Sequence, residues 1–96
     1  MSLLFSPIKI DPMTIKNRFI RSPTYEGLAN PGGTPKKRLL YLMKKISAND
    51  VGLIIPGYMY PNENCKAEPK QCAIYNDAHS SAWRSTINKI HQNSKI

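Results

Sequence analysis

A parallel α/β sheet is the fold class this sequence predicts, and three observations predict it. A hydrophobic stripe at helical spacing runs from about Pro35 to Ser47. After a short link comes VGLIIPG, a continuous apolar run of the kind buried on both faces of a parallel sheet. Extended pieces then alternate with helices along the chain, which is the order of βα units.

PIKIDPMTIKN reads as two short strands, near Ile8–Ile10 and Met13–Ile15, turned at Asp11-Pro12. A third extended piece covers Arg18–Arg21. ANPGGTP is a loop, broken by Pro31, Gly32 and Gly33. Thr34 offers an N-cap, and Pro35 suits the first helical turn. At 100° per residue, Leu39, Leu40, Leu42, Met43 and Ile46 share one arc of the helix. Lys37, Arg38, Tyr41, Lys44 and Lys45 share the other, so this basic cluster is the outer face of a packed helix. Val51–Ile55 is the next strand, stopped by Pro56 and Gly57. YMYPNENCKAEPKQCAIYN is a long irregular loop. Asn76 or Asp77 caps a second helix, from about Ala78 to Gln92, with Trp83, Ile87 and Ile90 as its apolar stripe. SKI, at the end, reads as the opening of a further strand, cut short.

At 96 residues the chain holds one domain at most, with a modest core. Val51–Ile55 is too short to span a bilayer, and MSLLFSP lacks the basic region of a signal peptide. A soluble cytoplasmic protein without a membrane partner is expected. The net charge of +8 permits nucleic acid, anionic lipid or phosphorylated ligands. Its basic residues are dispersed, however, with no run of five or six, which describes a solvated surface. Nucleic acid is therefore not the expected partner. Cys65 and Cys72, even with His79 and His91, match no standard metal site, so reduced thiols and no metal are expected.

Long connections follow both predicted strands, whereas the link from the first helix to the second strand is short. In α/β folds the ligand sits beyond the carboxyl ends of the strands, where long βα loops gather. Ser22–Tyr25 and Gly57–Tyr60 occupy those positions. The chain carries no Ser-His-Asp set, no paired carboxylates and no Walker loop. NPGGTPKK has the glycines and lysines of an anion cradle but not the Walker spacing, so a plain loop and cap is the better reading. Tyr25 and Glu26 are candidate acid–base groups, although Glu26 reads better as an exposed loop carboxylate. Tyr58 and Tyr60 straddle Met59 and alternate sides if extended; they either stack on a flat ring or pack the loop.

Three segments together resemble the amino-terminal part of the Old Yellow Enzyme family of FMN-dependent NADH:flavin oxidoreductases: LFSPIKIDPMTIKNRFIRSPTYEGLA, RLLYLMKKISANDVGLIIPGYMY and IYNDAHSSAWRSTINKIHQNSKI. The resemblance implies the amino-terminal portion of a (β/α)8 TIM barrel, with a capping hairpin over 5–16 and about two βα units. The first unit would span 18–47 and the second 51–92. It implies FMN at the carboxyl ends of the strands, with Ser22, Pro23 and Thr24 touching the flavin largely through backbone groups. Tyr25 falls where many members carry a Thr or Cys that tunes the flavin, a departure from the family pattern. Tyr58 matches a flavin-contacting position after the second strand. The implied chemistry is hydride transfer from NAD(P)H through FMN to an activated alkene or similar small molecule, with the cofactor carrying the reaction.

By the same resemblance, the family's flavin-pyrimidine glutamine lies just beyond Ile96, and its substrate-binding His/Asn or His/His pair is missing. No complete set of catalytic residues is therefore expected. The expectation is a truncated, catalytically incomplete form whose open strand edges favour self-association. The competing expectation is a small basic binding or assembly module built on a barrel fragment.

Overall fold

The computed structural model describes residues 3–92. One 3-10 turn at Leu3–Phe5 leads into an antiparallel hairpin of β1 (Ile8–Ile10) and β2 (Met13–Ile15). β3 (Ile20–Thr24) and β4 (Leu53–Pro56) pair in parallel, connected through α1 (Lys37–Ser47). α2 (Asp77–His91) follows β4 after a long connection. The parallel α/β order is thus present. Each sheet has two strands, and among the described residues they close no barrel. The further strand expected at 94–96 lies outside the described residues.

The third extended piece is displaced from Arg18–Arg21 to Ile20–Thr24, and hydrogen bonding explains why. The Arg18 N–H donates to the Leu4 carbonyl (2.9 Å), and the Phe19 N–H donates to Asn17 Oδ1 (3.0 Å). Both groups are thereby committed to the hairpin junction. Asn17 is buried, and its Nδ2 donates to the Asp50 carbonyl at 2.6 Å. One side chain therefore fixes the hairpin beneath the amino-terminal end of β4. Pro23 is tolerated inside β3 because it falls at a register shift between Arg21 and Thr24, where a missing N–H costs no ladder bond.

α1 begins at Lys37 rather than Pro35, and Thr34 is not its cap. The Thr34 hydroxyl oxygen instead accepts from Asn30 Nδ2 (3.0 Å), inside a turn also closed by the Asn30 N–H and the Thr34 carbonyl (2.8 Å). Lys36 occupies the cap position without a side-chain bond. α2 is capped by Asn76, whose Oδ1 accepts from the His79 N–H at 2.8 Å.

The core joins Leu39 and Met43 of α1 to Trp83 of α2, over Ala29 and Cys72 from the loops, with Ile54 of β4 packed against them. The buried positions of α2 are His79, Trp83 and Thr86, whereas Ile87 is 42% exposed. The face is rotated because His79 is tied inward. Its Nε2 lies 2.8 Å from the Gly32 carbonyl, and the Tyr75 N–H donates to its Nδ1 at 3.4 Å. Only the tautomer protonated on Nε2 serves both bonds.

β4 is not buried on both faces as its apolar run suggests. The register puts Ile20, Leu53 and Ile55 on one side of the pair, where Ile20 is 50% and Ile55 40% exposed. Full burial of such a side chain is worth roughly 1.5–3 kcal/mol, so this face carries unused stabilisation. The radius of gyration, 14.4 Å, reflects the open form. A compact domain of this length would have about 12–13 Å. No described helix is long and apolar enough to cross a membrane.

Candidate functional site

At its carboxyl end β3 turns outward through Ser22, Pro23 and Thr24, all exposed. The Thr24 hydroxyl donates to the Ser22 carbonyl (3.1 Å), which holds the shape of this bulged end. Tyr25 follows with its ring partly exposed, and Tyr58 stands on the neighbouring loop after β4, with ring centroids 5.6 Å apart at 36°. Ser22, Pro23, Thr24, Tyr25 and Tyr58 therefore share one end of the parallel pair, and the two tyrosines are in ring contact.

Glu26 corrects its sequence reading: it is not an exposed loop carboxylate. Its side chain is 6% exposed and forms an ion pair with Arg21 Nη1 at 3.0 Å. The same Oε2 accepts from the Gly57 N–H at 2.8 Å. Arg21 adds bonds from Nη1 to the Ile55 carbonyl (3.1 Å) and from Nη2 to the Thr24 carbonyl (3.2 Å). One buried ion pair thus joins the loop after β3 to the loop after β4. Sequence reasoning gave Arg21 no role. The available signal was an Arg and a Glu flanking a strand end, which becomes informative only when the strand is known to bulge.

Tyr58 and Tyr60 do take opposite sides. Tyr58 is 47% exposed, whereas Tyr60 is buried and stacks near Tyr75 at 5.7 Å. The Tyr58 phenol is held above its ordinary range, first by desolvation, then by the charge of Glu68 and by Tyr25. Its hydrogen bond with the Glu68 carboxylate acts in the same direction. Tyr58 is therefore a neutral donor over the physiological range, not a base. The long loop between Gly57 and Tyr75 is less irregular than its sequence suggests. Gln71 is buried, and its Oε1 accepts from the Ala67 and Glu68 N–H groups (2.8 and 3.2 Å).

NPGGTPKK serves as an anchor. The Gly32 carbonyl meets His79, and the Gly33 N–H is used within its own turn, donating to the Asn30 carbonyl (2.8 Å). Gly33 has φ +95°, and a Cβ there would lie 2.5 Å from that of Ala73. Among the described residues, no group of three or more His, Cys, Asp or Glu is placed to hold a metal ion.

Cys65 is exposed and Cys72 buried, and both are free. Burial pushes the Cys72 thiol up to about 11, and the Glu26 carboxylate adds to the rise. At pH 8 one thiol per folded chain, that of Cys65, is expected to react with an alkylating reagent. The second should react only after unfolding, a result that mass spectrometry of the two peptides checks. The unfolded Cys72 thiol loses its proton before the folded one. Its contribution to folding is therefore complete below the ordinary value of 9.0 and is lost as pH rises towards about 11.

The model of the NADH:flavin oxidoreductase / NADH oxidase family matches residues 3–96. No curated protein matches the chain. Among solved structures, the old yellow enzyme homologue from Zymomonas mobilis is 26% identical, with a TM-score of 0.84 over 94% of this chain and 25% of its own. The old yellow enzyme from Trypanosoma cruzi is 28% identical, with a TM-score of 0.80 over 94% of this chain and 24% of its own. Old Yellow Enzyme from Pichia sp. AKU4542, at 23% identity, shares the fold with a TM-score of 0.87 over 95% of this chain and 24% of its own. The chain thus spans about a quarter of the length of these solved relatives. A hairpin beneath a parallel β-α-β pair, matched to that family along nearly its whole length, leaves one assignment: the chain belongs to the NADH:flavin oxidoreductase / NADH oxidase family.

Proposed function

We propose that this chain forms one flank of the flavin site of an FMN-dependent NAD(P)H oxidoreductase of the Old Yellow Enzyme type. The acceptor in this reading is an activated alkene or a similar small molecule. The observation that carries it is the gathering of Ser22–Tyr25 and Tyr58 at the carboxyl ends of two parallel strands, with the Tyr25 and Tyr58 rings 5.6 Å apart. Strand ends of this kind offer backbone groups and aromatic faces to a flat ring, so the residues present fit FMN. When bound, FMN supplies the relay that passes a hydride from NAD(P)H to the acceptor.

The roles of this chain's own residues follow from their chemistry. Ser22, Pro23 and Thr24 present backbone at the bulged strand end. Tyr25 and Tyr58 supply aromatic surface, and Tyr58 remains protonated. Arg21 and Glu26 hold the two loops at a fixed separation. Turnover in this reading requires groups from the rest of a barrel, and the described residues alone are catalytically incomplete.

Titration of the chain with FMN, followed by flavin fluorescence, tests the reading. Quenching is expected, and Tyr25→Ala or Tyr58→Ala should each weaken binding by about fivefold, since an aromatic contact is worth ~1 kcal/mol. Flavin fluorescence unchanged by the folded chain would overturn it.

A further inference from the structure

Tyr41 is 64% exposed on α1 and makes no ring contact among the described residues. On a helix, the side chains that surround a residue are those three and four positions away. Around Tyr41 these are Lys37, Arg38, Lys44 and Lys45, so all four neighbours of the ring are cations. α1 contains no acidic residue, and none of the four cations is in an ion pair among the described residues. Leu39 and Met43 are buried in the core on the opposite face, which turns Tyr41 and its cations outward. Basic residues that are dispersed in the sequence are here gathered on one face about 12 Å long. Helix stability does not account for this arrangement. Lys44 and Lys45 lie in the last turn, where the helix dipole favours cations. Lys37 and Arg38 lie in the first turn, where it disfavours them, and Lys36 at the cap supplies no side-chain bond. Local conflicts of this kind are expected at functional sites.

We propose that this face of α1 binds single-stranded nucleic acid, with Tyr41 stacked on a base and Lys37, Arg38, Lys44 and Lys45 paired with the phosphates around it. Such binding couples a basic track with aromatic side chains, and it tolerates any base because every base has a flat face. The exposed ring selects this partner over other polyanions. An anionic lipid surface offers charge but nothing for Tyr41 to stack on. The apolar face of α1 is already in the core, so none is left to enter a bilayer. A duplex keeps its base faces stacked inside, whereas a single strand can open them to the ring. The net charge of +8 draws a polyanion towards the chain. Tyr41 and its cations lie outside the loops at the strand ends, so binding here is independent of flavin.

The test is fluorescence anisotropy of a labelled oligothymidylate, about 12 nucleotides long, titrated with the full chain. Four phosphate contacts on a single strand imply a log–log salt slope of about −3, so affinity should fall about fiftyfold between roughly 50 and roughly 200 mM salt. Lys37→Gln should weaken binding and make the slope shallower by about 0.7. The same substitution relieves the helix dipole and should raise the unfolding midpoint, so its loss of binding would not be a loss of fold. Tyr41→Ala should weaken binding by about fivefold or more with the slope unchanged, and Tyr41→Phe should retain it. Arg84→Gln, exposed on α2, should leave the slope unchanged. An oligonucleotide that stays free at roughly 50 mM salt overturns the proposal. Binding that tolerates Tyr41→Ala, or that Arg84→Gln weakens as much as Lys37→Gln does, also overturns it, because either is the diffuse attraction of the net charge. So does binding confined to vesicles of anionic lipid.

Discussion

Glu26→Gln is expected to lower folding stability by about 3 kcal/mol, because breaking a buried ion pair by removing one partner leaves an uncompensated charge. Glu26 is 6% and Arg21 15% exposed at the side chain, and no other carboxylate is paired with Arg21 among the described ion pairs. Glutamine keeps an oxygen for the Gly57 N–H but loses the negative charge, so the damage falls on Arg21. With a urea dependence of roughly 1.5 kcal/mol per molar, the unfolding midpoint should fall by about 2 M. Arg21→Met should also destabilise. The double variant should cost less than the two losses combined, since neither charge is then left alone. A loss below about 0.5 kcal/mol for Glu26→Gln would put the pair in the class of exposed surface ion pairs and remove its role as a clamp.

That clamp marks the limit of what the sequence made legible. The helices could be read because their signals are local. The Leu39–Met43 stripe requires only the 3.6-residue repeat, and Asn76 requires only its neighbour three residues on. The hairpin was readable for the same reason, with apolar residues flanking Asp11-Pro12. β3 was misplaced because its beginning is set by distant partners: Leu4 holds Arg18, and Asn17 is tied to Asp50. Ile55 and Ile87 were assigned to buried faces because periodicity states which residues are apolar, not whether a neighbour is present to cover them.

The site divides in the same way. The placement of Ser22–Tyr25 and Gly57–Tyr60 at the carboxyl ends of the two parallel strands was legible because long connections after such strands are a topological signal. Glu26 was misread because an acidic residue beside a glycine in a loop is ordinarily solvated. Its burial depends on Arg21, five residues earlier, and on Gly57, thirty-one residues later, being brought to one point by the pairing of β3 with β4. His79 was weighed as a metal ligand for want of the Gly32 carbonyl, which no spacing rule places beside it.

Gly57 carries the other large expected effect. A Cβ on it would lie 2.6 Å from the Thr24 carbonyl oxygen, 2.7 Å from Glu26 Oε1 and 3.0 Å from the Tyr25 Cα. Two of these are backbone atoms of the facing loop, so no side-chain rotation relieves them. Gly57→Ala must push the two loops apart, at a cost of about 2–3 kcal/mol, the upper part of the range for overpacking. The separation should lengthen the Gly57 N–H bond to Glu26 and abolish the cross-relaxation between the Tyr25 and Tyr58 rings. Gly32→Ala is the control. No atom lies within 4 Å of its Cβ position, and its carbonyl bond to His79 survives the change. It should alter stability by no more than about 0.5 kcal/mol. If the two alanines cost the same, close approach of the loops is not what holds this end of the sheet. If Gly57→Ala alone is costly and the ring contact is lost, the spacing of the two loops is set by a single missing methyl group, and the aromatic pair depends on it.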